Sequence, residues 1–225
     1  MIKEKLNILV TGCGGDIGQS IGKILNEYGI VNNLYGCDIS DKNAAKFIYS
    51  NFFLGLACKD PNYISNLEII VKEKNIDFII PISEPELRFL SKQKISKIAN
   101  AKLVLASAEA LEIGFDKLKT ADFLKKENFP FPITNSVADI ENIENFPVIM
   151  KSRLGSGSAN VVIVEDYDTF AFLKNKNPDF IVQEFLDGEK GEYTCGVFRS
   201  KIGIFRSIII KRKLIGGFTG YGEVI

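Results

Sequence analysis

The chain has 225 residues, 46% of them apolar and 25% charged, which is room for one large globular domain or two modest ones. Its 28 lysines and arginines balance 28 aspartates and glutamates, so no net field favours nucleic acid or a membrane surface. Histidine is absent, which excludes Ser-His-Asp and Cys-His catalysis within the chain and most catalytic zinc sites. Chemistry here must run on carboxylates, lysines, arginines and backbone dipoles, a set suited to phosphoryl transfer. No apolar run reaches membrane-span length, and MIKEKLNILV lacks the layout of a signal peptide. Cys13, Cys37, Cys58 and Cys195 show no C-x-x-C spacing, as expected of reduced thiols in a cytoplasmic protein.

In chain order, Leu6 to Thr11 reads as a buried strand that ends in the turn GCGGDIG, and Asp16 to Tyr28 carries helical periodicity. A strand over Leu34 to Cys37 ends in Asp38. A helix over Pro61 to Lys74, a strand over Asp77 to Ile82, a helix over Pro85 to Ala99 and a strand over Lys102 to Ala106 follow. Strands alternating with helices predict a parallel sheet with helices on both faces.

The turn Thr11 to Gly18 resembles the TGxxGxxG turn of short-chain dehydrogenases, and Asp38 lies where a ribose-binding acid belongs in an NAD(P)-binding oxidoreductase. None of the seven tyrosines has the lysine four residues on that such a catalyst needs, so a tight turn with packing glycines is favoured. Glu84 and Glu86, after the strand that ends at Pro81, admit two readings. They can hold an amine-bearing substrate, or Ser83 and Glu86 can form a capping box; the box is preferred.

Asp116 to Asn128 is an amphipathic helix stopped by Phe129-Pro-Phe-Pro132. Next, FPVIMKSRLGSGSANVVIV (Phe146 to Val164) places Lys151 at the mouth of a glycine- and serine-rich loop between two apolar strands. Such a loop can cradle a polyphosphate with its amides and the ammonium, although the spacing is not that of a Walker A motif. A hairpin whose lysine faces water has the same letters. A helix near Tyr167 to Lys174 and strands over Phe180 to Phe185, Tyr193 to Phe198 and Ile202 to Ile210 complete the pattern.

The order of these features resembles the ATP-grasp superfamily of carboxylate–amine ligases, and within it proteins similar to the carbamoyl-phosphate synthase large subunit. The features are a helix opening with Asp116-Lys117, a Pro-x-Pro exit, Pro-x-x-x-Lys with its loop, and Val182-Gln-Glu-Phe-Leu-Asp-Gly188 trailed by Glu192. The resemblance implies an α/β fold: a Rossmann-like preceding domain over residues 1–110 that binds no dinucleotide, then an incomplete ATP-grasp domain over 111–225 with an antiparallel sheet. It implies that Lys117 and Lys151 contact ATP phosphates and that Ser156, Gly157 and Ser158 close over them. Glu184 and the backbone near Leu186 would hold adenine, and Glu192 the ribose.

Arg212, within the basic run Arg206, Lys211, Arg212 and Lys213, would hold the transferred phosphate or the substrate carboxylate; a solvated strand end fits the same run. The family's magnesium ligands, often a Glu-x-Asn pattern, have no counterpart up to Ile225. The resemblance thus places Mg2+ ligands beyond this residue and implies that these 225 residues turn nothing over alone. A missing C-terminal half or a homodimer partner would complete the site. The rivals are the oxidoreductase and a non-catalytic module of a split synthase.

Overall fold

A computed structural model describes residues 5–155, 160–188, 191–200, 202–215 and 218–225. The chain divides into two units, Met1–Phe115 and Asp116–Ile225. In the first, the elements are β1 (Leu6–Thr11), α1 (Asp16–Glu27), β2 (Val31–Asp38), β3 (Asn51–Leu54), α2 (Tyr63–Lys74), β4 (Phe78–Pro81), α3 (Glu84–Lys92), β5 (Lys97–Ile98), β6 (Ala101–Leu103) and α4 (Ala108–Gly114). The sheet order is β3-β2-β1-β4-β6-β5, parallel throughout except for the terminal β5–β6 pair.

Alternation along β1 divides the core. Leu9 packs with Ile79, Leu67, Val71 and Leu90 under α2 and α3, whereas Ile8 and Val10 pack with Leu34, Ala45 and Tyr49 and receive Ile21 and Leu25 of α1. Helices therefore cover both faces, as the strand–helix alternation predicts. The helix expected over Pro85 to Ala99 is shorter than that. Lys94 adopts φ 55°, and the Ile95 amide reaches back to the Leu90 carbonyl at 3.0 Å, a Schellman-type closure that ends α3 and frees Ile98 for β5. The short strand β3 and the helix α4, which no periodicity announced, complete the unit.

Two glycines of the first turn, Gly14 and Gly18, serve packing. A Cβ on Gly18 would stand 2.5 Å from the Cys13 backbone. Tyr49, 1% exposed, lies between β2 and α1, where a Cβ on Gly36 or Gly22 would meet its ring at 2.5 or 2.6 Å. Cys13 is fully buried, and burial pushes its thiol up to about 12. That is an inert filler, not a nucleophile.

The preferred capping box is not formed. Ser83 is the N-cap of α3 but its side chain caps no amide, and Glu86 turns inward instead, 5% exposed. Its carboxylate accepts the Thr11 hydroxyl at 2.8 Å and the Tyr63 hydroxyl, tying β1, α2 and α3 together. Burial raises the Glu86 pKa; the hydroxyl donors, Tyr63 first, offset part of that rise.

The second unit contains α5 (Lys117–Lys126), β7 (Thr134–Ser136), β8 (Val148–Ser152), β9 (Val161–Val164), α6 (Tyr167–Lys176), β10 (Phe180–Glu184), β11 (Glu192–Arg199), β12 (Phe205–Ile215) and β13 (Phe218–Val224). Two antiparallel sheets result, one ordered β7-β10-β8-β9 and one ordered β11-β12-β13. Val148, Met150, Val164 and Val182 form one face of the first sheet and bury Phe170 of α6. No helix among the described residues is long and apolar enough to cross a membrane.

The pH dependence of stability follows from Glu86. Its folded-state pKa lies above the ordinary 4.5, so the folded form holds the proton more tightly and stability falls as pH rises from there through the folded value. Glu86→Gln, which cannot ionise, should lose this component. Urea midpoints measured from about pH 4 to about pH 8 should decline less for the variant than for the parent chain.

Candidate functional site

Pleat alternation in β8 decides which side chains meet solvent. Val148 and Met150 enter the core beneath α6, so Ile149 and Lys151 project from the opposite face. Register then adds to that face Ile163 opposite Ile149 and Val161 opposite Lys151, 52% and 45% exposed. From β10 come Ile181, opposite Lys151, and Gln183, opposite Ile149. The result is an apolar strip of sheet with one ammonium group set into it.

That ammonium is held by a relay. The Lys151 Nζ donates to Gln183 Oε1 at 2.6 Å, and the Gln183 Nε2 donates to Thr134 Oγ1 at 2.7 Å. The Thr134 hydroxyl in turn donates to the Pro132 carbonyl at 2.7 Å. Each donor is committed in sequence, which fixes the amide orientation of Gln183 and leaves its oxygen to Lys151. Burial, then the charge of Lys117, lowers the Lys151 pKa below 10.5.

Lys117 is the first residue of α5. Its amide donates to the Arg153 carbonyl at 3.2 Å, and its Nζ donates to the Gly155 carbonyl at 2.8 Å, at the entrance to the glycine- and serine-rich loop. The structure thus brings Lys117 and Lys151 together from different elements. Asp116, 8% exposed, is the N-cap of α5 and accepts the Leu118 and Lys119 amides at 3.0 and 3.3 Å. It also takes the Arg153 Nε at 2.9 and 3.0 Å and its second nitrogen at 2.8 Å. Hydrogen bonds and the guanidinium hold the Asp116 carboxyl below its usual range against the opposing effect of burial.

Ser156, Gly157 and Ser158, expected to close over phosphates, lie outside the described residues. Glu184 ends β10 beside β7, and its Oε2 accepts the Ile133 amide at 3.1 Å. Leu186 follows on the connecting segment, 60% exposed. Glu192 and Arg212 are direct cross-strand partners on β11 and β12, with 3.9 Å between charged atoms. Alternation along β12 divides the basic run: Arg206 and Arg212 project from one face, Lys211 and Lys213 from the other. The expected residues therefore fall into two groups, Lys117 at the start of α5 with Lys151 on the first sheet, and Glu192 with Arg212 on the second.

In the first unit, Asp38 serves its own turn. One oxygen accepts the Gly14 amide at 2.8 Å and the other the Ser40 amide at 3.1 Å. Glu84 pairs with Arg88 at 2.7 Å along α3. Among the described residues, no cluster of three or more aspartates, glutamates or cysteines stands ready for a metal ion.

Sequence reasoning missed Gln183 and the Asp116–Arg153 pair. The first depends on strand register 32 residues apart and left no local signal. For the second, Asp116 directly before a helical run was a legible N-cap, but nothing local marked Arg153, 37 residues on, as its partner.

Residues 115–214 match the model of the ATP-grasp domain family. A carbamoyl-phosphate synthase of Methanobrevibacter smithii is 22% identical over 138 residues, 58% of this chain and 38% of that protein. An uncharacterised protein of Mycoplasma pneumoniae is 25% identical over 166 residues, 73% of this chain and 53% of its own. The chain therefore spans about half the length of such a relative. Among solved structures, Campylobacter jejuni biotin carboxylase in complex with β-γ-ATP shares the fold at a TM-score of 0.68, with 15% identity, 96% of this chain and 53% of that one covered. The likeness to that carboxylase is one of fold.

Gln183→Leu should leave the half-buried Lys151 ammonium and the Thr134 hydroxyl without their shared partner. A loss of roughly 1–3 kcal/mol in unfolding free energy is expected, read from chemical denaturation of the full chain.

Proposed function

We propose that the second unit binds ATP, with its phosphates at Lys117 and Lys151 and its base along the apolar strip of Ile149, Val161 and Ile163. The observation that carries this reading is the convergence of two ammonium groups at the mouth of one loop. Two converging ammonium groups offer compact positive charge beside a glycine- and serine-rich loop, a combination that suits a triphosphate. Adenine stacks on aliphatic side chains without demanding hydrogen bonds, which leaves recognition of its amino group to Glu184 and the Leu186 backbone. Glu192 would take the ribose hydroxyls.

The reaction proposed is carboxylate–amine ligation. A substrate carboxylate oxygen attacks the γ-phosphorus, the bond to the β–γ bridging oxygen breaks, and ADP leaves with that electron pair. The acyl phosphate so formed is attacked at carbon by an amine, and inorganic phosphate departs. In this scheme Lys117 and Lys151 neutralise charge on the phosphates as it shifts toward ADP, and Arg212 holds the transferred phosphoryl group or the carboxylate. The described residues of this chain offer no acidic cluster fitted to magnesium, and no step here runs through it. The oxidoreductase alternative is disfavoured by Asp38, both of whose oxygens are engaged by backbone amides. The remaining partners of the reaction, a further half of the domain or a second copy, belong to the same proposal.

Calorimetric titration tests it. ATP should bind the full chain, and Lys151→Ala should weaken that binding by roughly tenfold to a hundredfold, the worth of one charge-assisted contact. NADH and NADPH should give no heat. Unchanged ATP affinity in Lys151→Ala would overturn the site assignment.

A further inference from the structure

Arg153 stands two residues beyond Lys151, at the mouth of the loop, where a cation reads naturally as one more phosphate ligand. The structure gives it another partner. Its guanidinium lies fork-on against both oxygens of Asp116, with contacts of 2.8 to 3.0 Å, and the Asp122 and Asp139 carboxylates further favour its charge. Around the pair, the Arg153 carbonyl accepts the Lys117 amide, and Asp116 forms an isolated antiparallel bridge with Leu154.

We infer that Arg153 is a positioning residue: clamped by Asp116, it fixes the start of α5 against the end of β8 and thereby sets Lys117 beside Lys151. The inference rests on the ATP reading for its purpose, since two aligned lysines matter only if one polyphosphate spans them. Its physical content is independent of that reading. The single carboxylate of Asp116 caps the helix whose first residue is Lys117 and grips the arginine that follows Lys151 by two positions. The backbone bonds alone leave the helix end free to pivot, whereas a bidentate fork fixes both distance and orientation.

The experiment follows the Lys151 ammonium by NMR in the full chain, with lysines reductively 13C-methylated and the Lys151 resonance assigned by its loss in Lys151→Arg. Three further variants are compared, Asp116→Asn, Arg153→Ala and Arg153→Lys, first without nucleotide and then by calorimetry with ATP. Asparagine still caps a helix, so Asp116→Asn removes the fork while keeping α5.

If the clamp holds Lys117 against Lys151, breaking it from either side lets the lysines separate. The Lys151 titration then rises toward 10.5 in both Asp116→Asn and Arg153→Ala. A simple field effect would instead move it in opposite directions, because one variant removes a negative charge and the other a positive one. Arg153→Lys, which keeps the charge and loses the fork, should fall between parent and Arg153→Ala. ATP affinity should drop by roughly tenfold to a hundredfold in Asp116→Asn and Arg153→Ala, the scale of a misplaced binding group.

An unmoved Lys151 titration in both variants overturns the inference, as does movement in opposite directions. Should it stay unmoved while Lys151→Ala abolishes ATP binding, the clamp fails and the nucleotide reading stands. Should it rise in both while no form binds ATP, the clamp stands and the nucleotide reading fails.

Discussion

Two ammonium groups brought to the same end of one sheet have to be compensated by oxygen from somewhere, and the second unit is arranged around that requirement. Lys151 finds a side-chain amide oxygen from the neighbouring strand; Lys117 finds a main-chain carbonyl at the loop entrance. A neutral acceptor such as the Gln183 oxygen solvates a cation without cancelling it. Asp116, the carboxylate beside Lys117 in sequence, is occupied by Arg153 and by two helix amides.

The first unit depends on a different constraint, close approach. Tyr49 is inserted where glycines at 22 and 36 leave its ring room, and its hydroxyl donates to the Gly18 carbonyl. Within the turn that reads as a dinucleotide fingerprint, a Cβ on Gly18 would meet the Cys13 backbone, so that glycine too is explained by contact. Its acid, Asp38, is spent on stabilising the turn itself. Motif letters alone do not separate these two uses of glycine, because both need a bare backbone; what differs is whether a ligand or a tyrosine fills the space.

How much was legible can be followed residue by residue. The strand–helix alternation of the first unit was written in periodicity, and β1, α1 and β4 sit close to where apolar runs and punctuating residues placed them. The end of α3 was not, because lysine has no local reason to adopt φ 55° until Leu90 and Ile98 are committed to the core. Glu86 carries the same lesson. Local spacing proposed a cap, whereas two hydroxyls from distant elements, Thr11 and Tyr63, made burial of its carboxyl tolerable. Of the expected site residues, Lys117 and Lys151 were picked out together by motif order. Their supporting shell of Gln183, Thr134 and Arg153 was not, being assembled by strand register and by contacts across 37 residues.

The cap on α5 has a consequence for how an anion would be sensed here. Many phosphate sites rest on open helix N-termini, whose backbone donors bond the anion directly. In this chain two of those amides are already taken by Asp116, which also neutralises part of the dipole. An anion at Lys117 and Lys151 would be held chiefly by two side-chain charges, for which ions in solution compete. The unit is in that sense an ionic-strength gauge: its grip on a polyphosphate would slacken as salt rises, while the architecture that presents the lysines stays the same.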